Sequence, residues 1–399
     1  MSHSTVSEST GVGSRDELLK RANDLLPLIA SKAEWSEQNR RLHDDVVQAM
    51  ADAGIFNMRR PLRYGGYETD SRTLSDVLAT LAGADGSTAW NAAVWSISNW
   101  IACLFPDHVQ DEVFAEPGAR VCAVLSPTAM AEPADGGLVV NGRWQFISGA
   151  HHSHWQVILA MAPAPDGSMW PVLAVVPMSQ LQIVDDWYTS GLAATGSVTT
   201  AASDLFVPGD RVLPLPVVLQ GHYASELNAG SPVFSAPLVP TGCAGFAGVA
   251  VGLARAARTQ FLDRLPGRKI TYSSYTAQAD AAVTHLNVAE ATLKIDEAQF
   301  NAYRVADLLD GKGATREPWT IEERVSARVW LGRSFDLAKQ AVEVLATASG
   351  GSSLYRSVPI QRIQRDVHAL NLHALMHANT NYELYGRVLC GLEPNSMYL

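Results

Sequence analysis

The chain has 399 residues, 47% hydrophobic and 18% charged, with a net charge of −10 at neutral pH. This length calls for about two or three domains rather than one pair of packed layers. The acidic balance disfavours nucleic acid or an anionic membrane as main partner, since either needs a concentrated basic face, and leaves small molecules or proteins.

In chain order, the polar stretch from Met1 to Arg15 lacks the basic-then-apolar order of a secretion signal and reads as a disordered lead-in. Ser14 followed by Glu17 forms a capping-box pattern ahead of Leu18, Leu19, Leu25, Leu26 and Ile29. A second helix is expected over residues 36–53, stopped by Gly54. Further helices are expected over 72–84, 87–104 and 107–114, giving an N-terminal helical domain over 1–118.

From residue 119 the period changes: residues 121–125, 138–147, 155–161 and 171–176 are short, β-branched and bounded by Gly, Pro and Asp. Asn141-Gly142, between two strand-like runs, predicts a two-residue hairpin turn. An antiparallel sheet or barrel is expected over 119–230. Helical periodicity returns over 241–262, 276–309, 320–349 and 359–391, long segments that suit a bundle over 231–399. The uncharged stretch 242–254 is shorter than the roughly 20 residues a membrane span needs, so no membrane crossing is expected. Cys103, Cys122, Cys243 and Cys390 lie far apart and read as reduced thiols in a cytoplasmic protein.

Four motifs stand out. They are Pro61-Leu62-Arg63-Tyr64-Gly65-Gly66; Gly86-Ser87-Thr88-Ala89-Trp90; Leu125-Ser126-Pro127 with the run from Asn141 through Trp144, Gln145, Phe146, Ile147 and Ser148 to Gly149; and the run from Pro359 through Arg362, Arg365 and Asp366 to His373. Together they resemble the acyl-CoA dehydrogenase fold, and in particular its flavin-dependent monooxygenase branch, over nearly the whole chain. The resemblance implies an α+β protein with an N-terminal helical domain, a central antiparallel β-barrel domain and a C-terminal four-helix bundle. It implies that Trp90 lines the flavin pocket, that Ser126, Trp144 and Ile147 lie against the flavin, and that Ser148 forms a hydrogen bond near its N5. The glycine turn Gly350-Gly351-Ser352 is similar to one that contacts a neighbouring subunit's flavin, and Arg268 is a candidate for the flavin phosphate. A homotetramer or homodimer is expected on that ground.

From the residues alone, Trp90, Trp95 and Trp100 read equally well as the packing of a core helix. Asp366, His373 and His377 are spaced to share one helical face, and His373 and His377 are candidates for the substrate pocket. Ser98 joins them where many relatives carry a histidine. His373 suits a base that makes a phenol electron-rich, because an unperturbed imidazole titrates near working pH.

The resemblance implies an oxygenase component that takes reduced FAD or FMN by diffusion from a separate NAD(P)H-dependent reductase. With molecular oxygen, through a C4a-hydroperoxide, it would hydroxylate a small aromatic substrate of phenolic, indole or polyketide class. No glycine fingerprint for a dinucleotide is present, so the reducing equivalents come from a partner. Residues 367–382 contain no Asp or Glu to remove an α-proton, which argues against a dehydrogenase. N-hydroxylation of an amine or amino sugar is the alternative within the same chemistry, and a dehydrogenase-like flavoprotein the next. The histidines His151, His152 and His154, and His373 with His377, lack the acidic partners of a metal motif, and no metal is expected.

Overall fold

The computed structural model describes residues 13–164 and 166–399, so the expected lead-in falls outside the described residues over 1–12. Helix α1 (Arg15–Asn39) begins where the Ser14 side chain accepts the Glu17 amide and ends at Arg40, whose φ of 53° turns the chain. Only half of the expected capping box forms, because the Glu17 carboxylate pairs with Arg21 at 2.8 Å instead. The first helix runs on to Asn39, through residues expected in the second, and α2 (Asp44–Asp52) starts after the break at Arg40; Gly54, at φ 75°, turns the chain beyond it as expected. Asp70 and Asp85 cap α3 (Ser71–Ala82) and α4 (Gly86–Ala102), and α5 (Asp107–Val113) follows.

The strands are β1 (Val121–Ala123), β2 (Ala129–Ala134), β3 (Gly137–Ile147), β4 (Trp155–Pro163), β5 (Met169–Pro177), β6 (Gln182–Val184), β7 (Val198–Pro208) and β8 (Val212–Pro214). They form one sheet in the order β6-β7-β3-β2-β4-β5-β8, with β1 also on β4. The sheet is mixed rather than wholly antiparallel: β1 and β2 both run parallel to β4. Asn141-Gly142 is not a hairpin turn, since β3 passes straight through it and the β2–β3 reversal falls at Asp135-Gly136. Asn141 instead accepts the Asp204 amide at 2.8 Å, at an irregularity between β3 and β7. A Cβ on Gly142 would stand 2.3 Å from that of Ala129, so the glycine serves strand contact rather than a turn.

After α6 (Leu215–Leu219) come α7 (Leu238–Asp263), α8 (Ala282–Thr315), α9 (Ile321–Ala348), α10 (Ile360–Leu370) and α11 (Ala378–Leu389). Helix α7 is apolar enough to cross a membrane by composition, but 94% of that apolar window is buried inside the molecule. A Cβ at Gly248 would lie 2.2 Å from the Ser75 carbonyl, and one at Gly252 2.2 Å from that of Ala79, so α3 and α7 meet backbone to backbone. The segment expected as one helix over 359–391 is two. The Asn371 side chain bonds the carbonyls of Val367 at 2.8 Å and Phe335 at 3.2 Å, closing α10 and pinning its end to α9. Asp366 and His373 consequently do not share a helical face.

Candidate active site

Helix α4 brings Trp90 to its place because Asp85 fixes its start, accepting both the amide and the hydroxyl of Thr88 at 2.8 Å. Two residues further on, the Trp90 indole N–H donates to Ser148 Oγ at 2.9 Å. Its ring stacks on Phe246, centroids 4.8 Å apart at 26°, and meets His373 edge-on at 5.5 Å. Trp90, Ser148 and His373, from three distant parts of the sequence, are thus brought together. Phe246 was missed because it lies in the apolar run 242–254, where a lining aromatic and a core aromatic look alike. Trp95 and Trp100 follow the simpler reading: both are fully buried, their indoles bonded to Ser153 and to the Val233 carbonyl.

His373 sits in the turn between α10 and α11. Its side chain is solvent-accessible, yet protein surrounds it closely enough that desolvation pushes the imidazole down to about 4. Its Nδ1 accepts the Leu375 amide at 3.2 Å, so the neutral ring carries its proton on Nε2. This makes His373 a hydrogen-bond donor rather than the base suggested by an unperturbed imidazole. His377 precedes α11 without a side-chain capping bond, half-buried, with an unpartnered Nδ1, and its amide bonds the His373 carbonyl at 3.0 Å.

Strand β3 departs from expectation by one residue. Trp144 and Ile147 are fully buried in the core of the sheet, and the Trp144 indole is spent on the Leu159 carbonyl at 2.8 Å, so neither side chain is free to lie against a flavin. The register shifts between Trp144 and Ile147, Phe146 takes φ 65°, and its ring is left 65% exposed, edge-on to Trp187. Phe146 is therefore the accessible aromatic next to Ser148. Ser126 is exposed in the β1–β2 loop, whereas Ser98 is sealed in the helical domain with its hydroxyl unpartnered and presents no surface to a ligand.

The glycine turn does gather basic groups. Arg268 bonds the Ser349 carbonyl, and Arg264 donates to Ser352 at 3.3 Å beside Gly350 and Gly351. Gln278 holds the Ala348 carbonyl at 2.9 Å from the other side. Nη1 of Arg264 and Nη1 of Arg268 are buried with no partner in the chain, and desolvation and the Arg264 charge both lower the Arg268 pKa. Two crowded guanidiniums with spare donors beside an open glycine backbone suit a phosphate group. Arg264 and Gln278 carried no sequence signal, since a single basic or amide residue at a helix end is common.

Asp366 is buried at the junction of α4, α10 and the loop before β7. It accepts the Leu192 amide at 2.6 Å, and Arg362 approaches Asp85 at 3.6 Å. Burial, with Asp85 adding to it, raises the Asp366 carboxyl to about 7. The folded state then binds a proton that the unfolded state releases above the ordinary carboxylate range. The stability this brings is complete below about 4 and lost as pH rises through about 7. Unfolding free energy is expected to fall between pH 6 and 8, with a slope of at most about 1.4 kcal/mol per pH unit from this group, and the melting temperature with it. Asp366→Asn, which keeps the acceptor, is expected to flatten the profile; an unchanged slope would assign the pH dependence elsewhere.

His152 and His154 are tied to backbone, through the Leu42 carbonyl at 3.1 Å and the Arg120 amide at 3.0 Å. Among the described residues no cluster of three metal-binding side chains forms. A cavity of about 250 Å³ lined by Arg59, Asp70, Asp310 and Thr241 contains none of Trp90, Ser148 and His373.

Residues 22–112 match the acyl-CoA dehydrogenase N-terminal domain and residues 244–378 the acyl-CoA dehydrogenase C-terminal domain. The chain belongs to the acyl-CoA dehydrogenase family. It is 31% identical to the oxygenase component of an FADH2-dependent resorcinol hydroxylase from Rhizobium sp. (strain MTP-10005), covering 96% of each chain. It is also 31% identical to oxygenase subunit HsaA, a flavin-dependent monooxygenase from Mycobacterium tuberculosis, covering 96% of this chain and 98% of that one. XiaF from Streptomyces sp., solved in complex with FADH2 and glycerol, superposes with a TM-score of 0.91 at 31% identity, over 96% of this chain and 97% of that one. Within the family, then, the chain is of the flavin-dependent monooxygenase type, an oxygenase component rather than a dehydrogenase.

Proposed function

We propose that the protein hydroxylates a small aromatic molecule of phenolic class, using reduced FAD supplied by a separate NAD(P)H-dependent flavin reductase in the cytoplasm. One atom of molecular oxygen enters the substrate and the other leaves as water, the two electrons coming from the reduced flavin. The observation that carries this reading is the Trp90–Phe246 stack with the neutral His373 ring set against it. Flat apolar walls favour a planar ring, and a single imidazole N–H favours an oxygen acceptor on it.

When bound, reduced flavin supplies together with oxygen the electrophilic oxygen atom. The chain's own part is to hold and shield that chemistry. Phe146 offers an exposed ring to the flavin face and Ser148 a polar contact at its edge. Arg264, Arg268 and the Gly350-Gly351 turn would take a phosphate, and a pair of guanidiniums suits the diphosphate of FAD better than the single phosphate of FMN. Trp90 and Phe246 exclude water from the reacting edge. His373 Nε2–H orients the substrate or steadies negative charge developing on oxygen.

Assembly of subunits fits the same picture. On α8, Leu286, Leu293 and Phe300 are exposed at seven-residue spacing, an apolar seam along one face. That seam favours a homodimer or homotetramer, with the glycine turn completing a neighbour's flavin site. Replacing all three residues by lysine is expected to give a smaller species by light scattering. An unchanged mass would place the interface elsewhere.

Turnover with a panel of phenols, an unrelated flavin reductase and isotopically labelled oxygen tests the function directly. The expected product carries one labelled oxygen. Tight retention of oxidised flavin through purification, with no phenol consumed, would overturn the reading.

A further inference from the structure

The hydroxyl of Ser148 is the end of a chain. Ser148 Oγ lies 2.7 Å from Ser197 Oγ, Ser197 Oγ lies 2.6 Å from Thr195 Oγ1, and Thr195 Oγ1 lies 2.7 Å from the Leu192 carbonyl oxygen. All three hydroxyl residues are buried, at 5%, 4% and 1% exposure. A carbonyl oxygen can only accept, so Thr195 must spend its one proton on Leu192. Ser197 must then donate to Thr195, and Ser148 must donate to Ser197. Three protons serve three contacts and none is left over.

At the other side, Ser148 Oγ already accepts the Trp90 indole N–H at 2.9 Å. What remains on Ser148 is one acceptor position and no proton to give. The anchor of this direction is itself fixed. Leu192 sits at φ 54°, its amide is held by the buried Asp366 at 2.6 Å, and its carbonyl also accepts the Trp187 indole at 3.1 Å. The residue before it, Gly191, lies so close to α10 that a Cβ would stand 2.3 Å from the Arg365 carbonyl. The Arg365-Asp366 motif thus holds the loop from which the hydroxyl direction is set.

We infer that Thr195 and Ser197 are positioning residues that make Ser148 an obligate acceptor, and that this selects reduced over oxidised flavin. The inference rests on the proposed placement of Ser148 at flavin N5. Reduced flavin carries a hydrogen on N5 and donates to an acceptor; oxidised flavin presents a lone pair there, which an acceptor-only hydroxyl repels. An oxygenase that must capture reduced flavin against a pool of oxidised flavin needs this discrimination before any chemistry begins. The proton inventory of three buried hydroxyls provides it.

The test is the ratio of dissociation constants for oxidised and reduced FAD, measured by anaerobic and aerobic titration. Thr195→Val removes the hydroxyl that starts the chain, although on this reading Thr195 never touches the flavin. Ser197 can then turn its proton back to Ser148, and Ser148 is free to donate. Binding of oxidised FAD is expected to tighten while that of reduced FAD weakens, closing the ratio by roughly tenfold. Ser197→Ala, which frees the Ser148 proton directly, is expected to act in the same sense, and Thr195→Ser to restore the parent ratio.

A merely structural role predicts that both forms weaken together, and a ratio unchanged in Thr195→Val and Ser197→Ala variants that melt as folded proteins overturns the inference. A parent protein that hydroxylates phenols but binds both redox forms equally also overturns it, leaving the function intact. A parent that binds neither form sinks the proposed function, and the inference with it.

Discussion

Replacing His373 with alanine is expected to slow oxygen transfer to substrate by roughly 10²-fold or more, the scale of a lost positioned proton donor. The more telling variant is His373→Gln, whose amide N–H reaches close to where Nε2 stood. Because the Leu375 amide occupies Nδ1 and desolvation by the surrounding protein pushes the ring down to about 4, a neutral donor is the expected form. Glutamine is therefore expected to recover much of the rate lost in alanine. A base would leave glutamine as inactive as alanine.

The pH profile provides a second check. Desolvation lowers the folded pKa to about 4, so the donor form is complete above that value and is lost only as pH falls through it. Between pH 6 and 9 the step should show no inflection from His373. An inflection near the ordinary histidine value that disappears in His373→Gln would contradict the assignment.

Ser148→Ala is expected to shift the outcome from product to hydrogen peroxide, with oxygen still consumed. The variant removes the acceptor at the flavin edge and also strands the Trp90 indole N–H, which now donates to Ser148 at 2.9 Å. An unpartnered buried N–H costs about 1–3 kcal/mol, so the melting point should fall as well. Product and peroxide quantified against oxygen consumed decide the matter. Unchanged coupling with a lowered melting point would leave Ser148 only its packing role.

The two residues at the centre of these expectations were visible in the sequence for different reasons. Ser148 lies in a long motif whose spacing is set by a strand and a turn, so its neighbourhood is local and legible. His373 is singled out by motif as well, but the structure favours a different role for it from the base that an unperturbed imidazole suggests. Seven residues from Asp366 suggested one helical face, whereas Asn371 ends the helix and places His373 in a turn. Its protonation then follows from a backbone amide two residues on and from desolvation by neighbouring protein, neither of which a spacing argument contains.

Trp144 and Phe146 show the converse. Strict alternation along a strand would put both on one face, and the family resemblance implies Trp144 as the residue against the flavin. One irregularity of register buries Trp144 and exposes Phe146. Such a shift depends on how β3 pairs with β7, a strand more than fifty residues away whose partner no local pattern reveals.

By itself, the sequence determined the order of helices, strands and helices, most helix positions, the Ser14 cap and the family motifs, because each depends on residues within a few turns of one another. Only the tertiary structure decided which aromatics gather beside Ser148 and His373, that Phe246 joins Trp90, that Arg264 and Gln278 meet the glycine turn, and which way the protons of Ser148, Ser197 and Thr195 point. Those properties arise where remote segments meet. Burial there removes the choices that water would leave open, and each buried polar group must take the one partner the packing provides.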